Sequence, residues 1–218
     1  EDSWDSSIAS PPLTVRYGGS IEFDGEQYMY VLRGNNSDAF WSYDTFTDTW
    51  ETLANANYGA PQSAVNNNAY VGGDIAIDRE NDLVYSIQGN YRHGFSVYDI
   101  NTDSWEVLDA LPALPYHGGN IEFDPVNNAV YFIPGNSTPN MYKYDVNSGQ
   151  WTEVMPAPYT IYYGGGIHYA NGDLYLIRGG NSDYFYKYNI KKNTWYKPNR
   201  GLFGREFQGS SLSDTGYG

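Results

Sequence analysis

The sequence predicts an all-β fold assembled from four copies of one four-stranded unit. Two observations predict it. A pattern of Tyr, Gly and Trp recurs four times at a single spacing, and self-similarity at a fixed period outranks local propensity as a guide to architecture. The composition agrees. Of 218 residues 17% are aromatic, with 23 Tyr, 6 Trp and 24 Gly, while aliphatic side chains are too sparse for a helical bundle. Aromatics favour strands, and Gly and Asn favour turns.

Each unit opens on a glycine-led alternating run. The four runs are Gly18-Gly19-Ser20-Ile21-Glu22-Phe23, Gly72-Gly73-Asp74-Ile75-Ala76-Ile77, Gly118-Gly119-Asn120-Ile121-Glu122-Phe123 and Gly164-Gly165-Gly166-Ile167-His168-Tyr169. Period-2 alternation after a Gly pair reads as a short strand. The second strand carries Tyr30, Tyr85, Tyr131 or Tyr175, with Leu or Ile two residues on and Gly four residues on. The third carries Tyr43, Tyr98, Tyr144 or Tyr188, followed by Asp or Asn. The fourth carries Trp50, Trp105, Trp151 or Trp195, seven residues later. In the first unit the strands are expected at 21–24, 28–32, 40–44 and 49–53. The period is 46 residues, lengthened to 54 in the first unit by an Asn/Ala-rich stretch at 55–70.

Four-stranded units at this period are the blades of a β-propeller. The blocks also resemble kelch repeats: an apolar strand ending in a glycine pair, then Tyr-Asp-x5-Trp, then a Pro-containing loop. The segment from Met155-Pro156-Ala157-Pro158 to Gly179-Gly180 is most similar. The first three units depart from it with Gly34-Asn35, Gly89-Asn90 and Gly135-Asn136, and Asn is the next best residue at positive φ. The resemblance covers about residues 18–197 and implies the fold, not an activity. One domain is expected, with blades at 18–71, 72–117, 118–163 and 164–200. Residues 1–17 read as an orphan outer strand and linker around Trp4, and 201–218 as an orphan inner strand around Phe207.

Composition narrows function. No apolar run approaches the ~18 residues of a transmembrane helix. A net charge of −14 argues against a polyphosphate or nucleic-acid partner. With no Cys there is no thiol catalysis, disulfide or Cys-ligated zinc. The resemblance extends to galactose oxidase, whose cofactor needs a Cys cross-linked to Tyr, and that chemistry is excluded too. There is no nucleophile elbow and no phosphate-binding glycine loop. A non-catalytic protein without a cofactor is expected. Starting at Glu1, the chain reads as a processed, secreted protein or an excised piece.

The repeated Tyr and Trp read as inter-blade core. Tyr58, Tyr70, Tyr91 and Tyr162 fall between strands and are candidate glycan contacts. Asp44/Asp48, Asp78/Asp82 and Asp99/Asp103 give some turns the flavour of calcium loops but lack the Gly and bidentate Glu such loops require, so turn formation is the stronger reading. None of the three His residues has metal-ligand spacing. His168 aligns with Glu22 and Glu122, and the three are expected to form a polar group at the propeller axis. Asn35 and Asn136 begin glycosylation sequons in equivalent loops.

Charge is unevenly placed. Residues 171–218 hold seven basic and four acidic side chains, and the remaining 170 hold five and 22. Such asymmetry fits a head-to-tail contact between copies. Trp4, Lys191, Lys192, Lys197, Arg200, Arg205 and Phe207 are the subunit-contact candidates. Three functions follow: self-assembly into an extracellular filament, tube or layer; glycan binding; or part of a larger kelch enzyme or adaptor.

Overall fold

A computed structural model describes residues 7–59 and 68–196. They form a β-propeller of four blades, each an antiparallel four-stranded sheet in sequence order. Blade 1 contains β1 (Ser20–Phe23), β2 (Tyr28–Leu32), β3 (Phe40–Asp44) and β4 (Thr49–Thr52). Blade 2 contains β5 (Asp74–Asp78), β6 (Leu83–Ile87), β7 (Phe95–Asp99) and β8 (Ser104–Val107). Blade 3 contains β9 (Asn120–Asp124), β10 (Ala129–Ile133), β11 (Met141–Asp145) and β12 (Gln150–Val154). Blade 4 contains β13 (Gly166–Ala170), β14 (Asp173–Ile177), β15 (Phe185–Asn189) and β16 (Thr194–Tyr196), with a 3-10 turn at Ile190–Lys192. The four strands expected in the first unit are present, two of them shifted at their ends by one residue. No helix among the described residues is long and apolar enough to cross a membrane.

The hairpins close on the Asx chemistry that the sequence offers. Asp44 accepts the Phe46 and Thr47 N–H groups, Asp99 those of Asn101 and Thr102, and Asp124 those of Val126 and Asn127. Their carboxylates are therefore occupied by turn backbone. The Gly-Asn pairs adopt the left-handed backbone expected of them, with φ +64 and +56 at Gly34 and Asn35 and φ +65 and +52 at Gly135 and Asn136.

The core lies between blades, in three clusters. Tyr30, Leu32 and Phe40 of blade 1 pack against Ile75, Ile77, Val84 and Tyr98 of blade 2. Tyr85, Ile87 and Phe95 of blade 2 meet Ile121, Phe123, Val130 and Tyr144 of blade 3. Tyr131, Ile133 and Met141 of blade 3 meet Ile167, Leu174 and Tyr188 of blade 4. Each blade thus presents one Tyr/aliphatic/Phe-or-Met face forward and one Ile-led face backward. The forward Phe wedges into an aromatic notch. Phe40 lies 4.9 Å from Tyr98 and 5.1 Å from Trp105, and Phe95 lies 5.0 Å from Tyr144 and 5.1 Å from Trp151, ring centre to ring centre. Edge-on pairs add to the energy of area burial.

The recurrent Trp also clasps the chain leaving the preceding blade. The indole N–H of Trp105 donates to the Ala54 carbonyl at 2.8 Å, and those of Trp151 and Trp195 donate to Asp109 and Met155. Trp50 closes on Ala9, upstream of blade 1. A left-handed Asp or Asn completes three of these clasps. Asp103 accepts from both Ala54 N–H and Tyr98 O–H, Asp48 from Ala9 and Tyr43, and Asn193 from Met155 and Tyr188.

Candidate functional site

The innermost strands bring three expected residues together at the axis. Glu22 on β1, Glu122 on β9 and His168 on β13 occupy one register position, filled by Ala76 in blade 2. Glu122 Oε2 lies 3.4 Å from His168 Nδ1, and Glu22 Oε2 lies 3.7 Å from Arg79. Buried Asp74 spans three blades, accepting from Ser20 Oγ of blade 1 at 2.6 Å and from the Ile121 N–H of blade 3 at 2.9 Å. Burial, then the charges of Glu122 and Asp74, pushes Glu22 up to about 7. Burial pushes Glu122 up to about 8 and Asp74 to about 6. Three carboxyls held above the ordinary carboxylate range by burial thus share the axis with Arg79 and His168. Asp74 and Arg79 were not singled out by sequence reasoning. Asp74 alone carried a signal, a carboxylate in an inner strand where its counterparts are Ser20, Asn120 and Gly166. Among the described residues no group of three or more His, Asp or Glu side chains is placed to hold a metal ion.

A second feature is a set of aromatic contacts on the turns that precede the glycine pairs, joined by Tyr91 from the β6–β7 loop. Tyr91 stacks on Tyr116 at 4.2 Å, Tyr116 meets His117 at 4.2 Å, His117 meets Tyr162 and Tyr163 at 6.0 and 6.2 Å, and Tyr17 meets Tyr70 at 6.0 Å. Three of the four glycan candidates therefore belong to it, Tyr91 and Tyr162 exposed and Tyr70 half-buried. Tyr58 does not. Its ring is buried, with its hydroxyl 2.6 Å from Ser86 Oγ. The ring turns inward onto the blade 1–blade 2 core, which corrects its expected role as a surface contact. Tyr91 holds φ +56, an uncommon backbone for an aromatic residue, and donates its hydroxyl to Asn136 Oδ1. Asn35 and Asn136 are half-buried at equivalent left-handed turns, their N–H groups donated to the Tyr17 and His117 carbonyls.

The third feature is the pair of end blades. Positions buried in every internal interface are exposed here. Ile177 and Phe185 of blade 4 are 51% and 43% exposed, whereas their counterparts Leu32, Ile87, Ile133, Phe40, Phe95 and Met141 are at most 1%. Ile21 of blade 1 is 57% exposed, against at most 6% for Ile75, Ile121 and Ile167. Gly164 repeats the difference in the backbone. A Cβ on Gly18, Gly72 or Gly118 would stand 2.0–2.2 Å from the carbonyl oxygen of Tyr70, Tyr116 or Tyr162, on the turn that leads into the next blade, whereas among the described residues one on Gly164 would meet nothing within 4 Å. Lys191 and Lys192 project from the outer turn of blade 4. Trp4, Lys197, Arg200, Arg205 and Phe207 lie outside the described residues.

No protein-family model and no curated protein matches the chain. Solved structures do. One, described as the structure of YjhT, superposes with a TM-score of 0.68 at 15% identity over 88% of this chain and 68% of that one. Another, an auxiliary nutrient binding protein from Bacteroides thetaiotaomicron, gives a TM-score of 0.58 at 15% identity over 84% of this chain. The chain spans 41% of that protein's length. At this identity the likeness is one of fold.

Proposed function

We propose that this is a secreted, non-catalytic propeller of kelch type that acts through protein–protein contacts, as a self-assembling subunit of an extracellular filament, tube or layer. The observation that carries the reading is the forward face of blade 4, built from the same residue types as three buried faces but with Ile177 and Phe185 exposed and no blade over it among the described residues. Exposed apolar positions with a buried pattern mark an interaction surface. Charge supports it: residues 166–196 hold four basic and two acidic side chains, while residues 20–52 hold one and seven. The kelch reading rests on Tyr-Asp-x5-Trp and the glycine turns, and the extracellular one on the two sequons.

Electron microscopy and sedimentation of the native protein, with its intact mass, test this. Ordered polymers of a 24.6 kDa chain are expected. A monomer at high concentration and low salt overturns the proposal, and a heavier native chain moves the missing face to a later part of a longer kelch protein.

The set of aromatic contacts favours a second reading, glycan binding. Tyr faces suit sugar rings, and the nutrient-binding description of one structural neighbour is compatible with it. A glycan array on the intact chain tests this, with Tyr91→Ala and Tyr163→Ala expected to weaken any signal.

A further inference from the structure

Resting on the self-assembly reading, we infer the partner and its register: the forward face of blade 4 receives the backward face of blade 1 from a second copy, continuing the propeller across molecules.

The internal interfaces supply the template. At each of two of them a forward Phe enters the notch between the Tyr and Trp of the following blade, at 4.9–5.1 Å. Blade 4 carries that Phe as Phe185, exposed. Blade 1 carries the notch as Tyr43 and Trp50, 5.0 Å apart, just as Tyr98 and Trp105 are 5.2 Å apart. Ile21 stands where Ile75, Ile121 and Ile167 enter the preceding blade. Trp50 already clasps Ala9, so the notch has its linker, and Trp41 lines it edge-on to Trp50 at 6.2 Å as Tyr186 lines the blade 4 notch edge-on to Trp195 at 6.5 Å.

The backbone agrees. Gly164 keeps φ +75, the conformation that elsewhere admits the following blade's carbonyl. That carbonyl belongs to the residue two before the next glycine pair, which in blade 1 is Arg16. Arg16 of the second copy therefore seats on Gly164. By the same register Tyr163 faces Arg16, as His117 faces Tyr162 at 6.0 Å. The contact is heterologous, so it repeats: closure gives a ring and non-closure a filament. The acidic blade 1 meets the basic blade 4, which favours this pairing over a like-with-like one.

The chain has no Cys, so introduced thiols are unique. Chains carrying Tyr163→Cys are mixed with chains carrying Arg16→Cys and treated with a short bis-maleimide, and a chain carrying both is treated alone. Cross-linked heterodimers and a ladder from the double variant are expected. Phe185→Asp should reduce the sedimenting species to one chain while keeping the wild-type melting temperature, because Phe185 is exposed in the single chain. If the wild type assembles but Phe185→Asp assembles equally, this contact is wrong while the self-assembly reading stands. A double variant that cross-links only within one chain also overturns it, in favour of closure of blade 4 onto its own blade 1. A wild type that never assembles removes both.

Discussion

The carbonyl oxygen of Tyr162 closes onto Gly118 so tightly that a Cβ at 118 would stand 2.2 Å from it. The glycine marks where one blade touches the next, and Gly164 holds the same backbone with no such neighbour among the described residues.

The two glycines should therefore respond differently. Gly118→Ala adds a methyl that only a blade displacement can accommodate, on top of the left-handed backbone cost, and should lose about 3–5 kcal/mol. Gly164→Ala carries the backbone cost alone, about 1–2 kcal/mol. Urea denaturation of the monomer reads the difference, and equal losses would mean that something covers Gly164.

Blade 3 lacks one part of its clasp. Its Trp151 reaches Asp109 at 3.3 Å, the longest of the four, and Gly149 stands where Asp48, Asp103 and Asn193 accept from Tyr. Gly149 has φ +68, and a Cβ there would lie 3.6 Å from the Tyr144 hydroxyl, an ordinary contact. Gly149→Asn should supply the missing acceptor and stabilise by about 1 kcal/mol. Asp103→Ala should cost about 2 kcal/mol, since one carboxylate oxygen serves two donors. Thermal melts of both variants check the pair, and a neutral Asp103→Ala would remove the clasp from the account of stability.

The axial carboxyls set a pH dependence. Burial raises Glu22 and Glu122 above the ordinary 4.5, so the folded protein keeps protons that the unfolded chain releases. Their contribution is complete below about 4.5 and is lost as pH rises through about 7 and 8. Asp74, Arg79 and His168 face the same group. Stability in urea should fall from pH 5 to pH 8.5, and Glu122→Gln should flatten the fall and exceed wild type at pH 8.5 by about 3 kcal/mol. Wild type more stable at pH 8.5 than at pH 5 would contradict the assignment.

Tyr58 should behave as core. Tyr58→Ala removes a buried ring between blades and should cost about 3–5 kcal/mol. Tyr58→Phe keeps the ring and loses the bond to Ser86, and should cost about 1 kcal/mol. Chemical denaturation of the two variants separates ring from hydroxyl, and a tolerated Tyr58→Ala would return the residue to the surface.

What was legible in the sequence follows from what repeats. Tyr98, Trp105 and their counterparts keep fixed spacing because each occupies one place on an outer strand, so the blades could be counted and their strands placed almost to the residue. The glycine turns were legible because positive φ restricts residue choice. The clasp on Ala54 was not, because the acceptor is a backbone carbonyl that any residue provides. Tyr58 misled for a related reason: a loop position says nothing of the direction in which its ring turns. The exposure of Ile177 was hidden most completely, since Ile87 and Ile133 stand at its position and only the next blade decides whether they are covered. Glu22, Glu122 and His168 were drawn together by register alone, while Asp74 and Arg79 entered through geometry.

The clasps also run in one direction. Each of the three between blades is closed by the later blade on the chain leaving the earlier one, so blade 1 is fastened only when Trp105 has been made, blade 2 by Trp151 and blade 3 by Trp195. During vectorial synthesis the segment leaving each blade stays unfastened until 40 to 51 further residues have emerged from the ribosome. Folding at the exit tunnel therefore trails translation by one blade throughout.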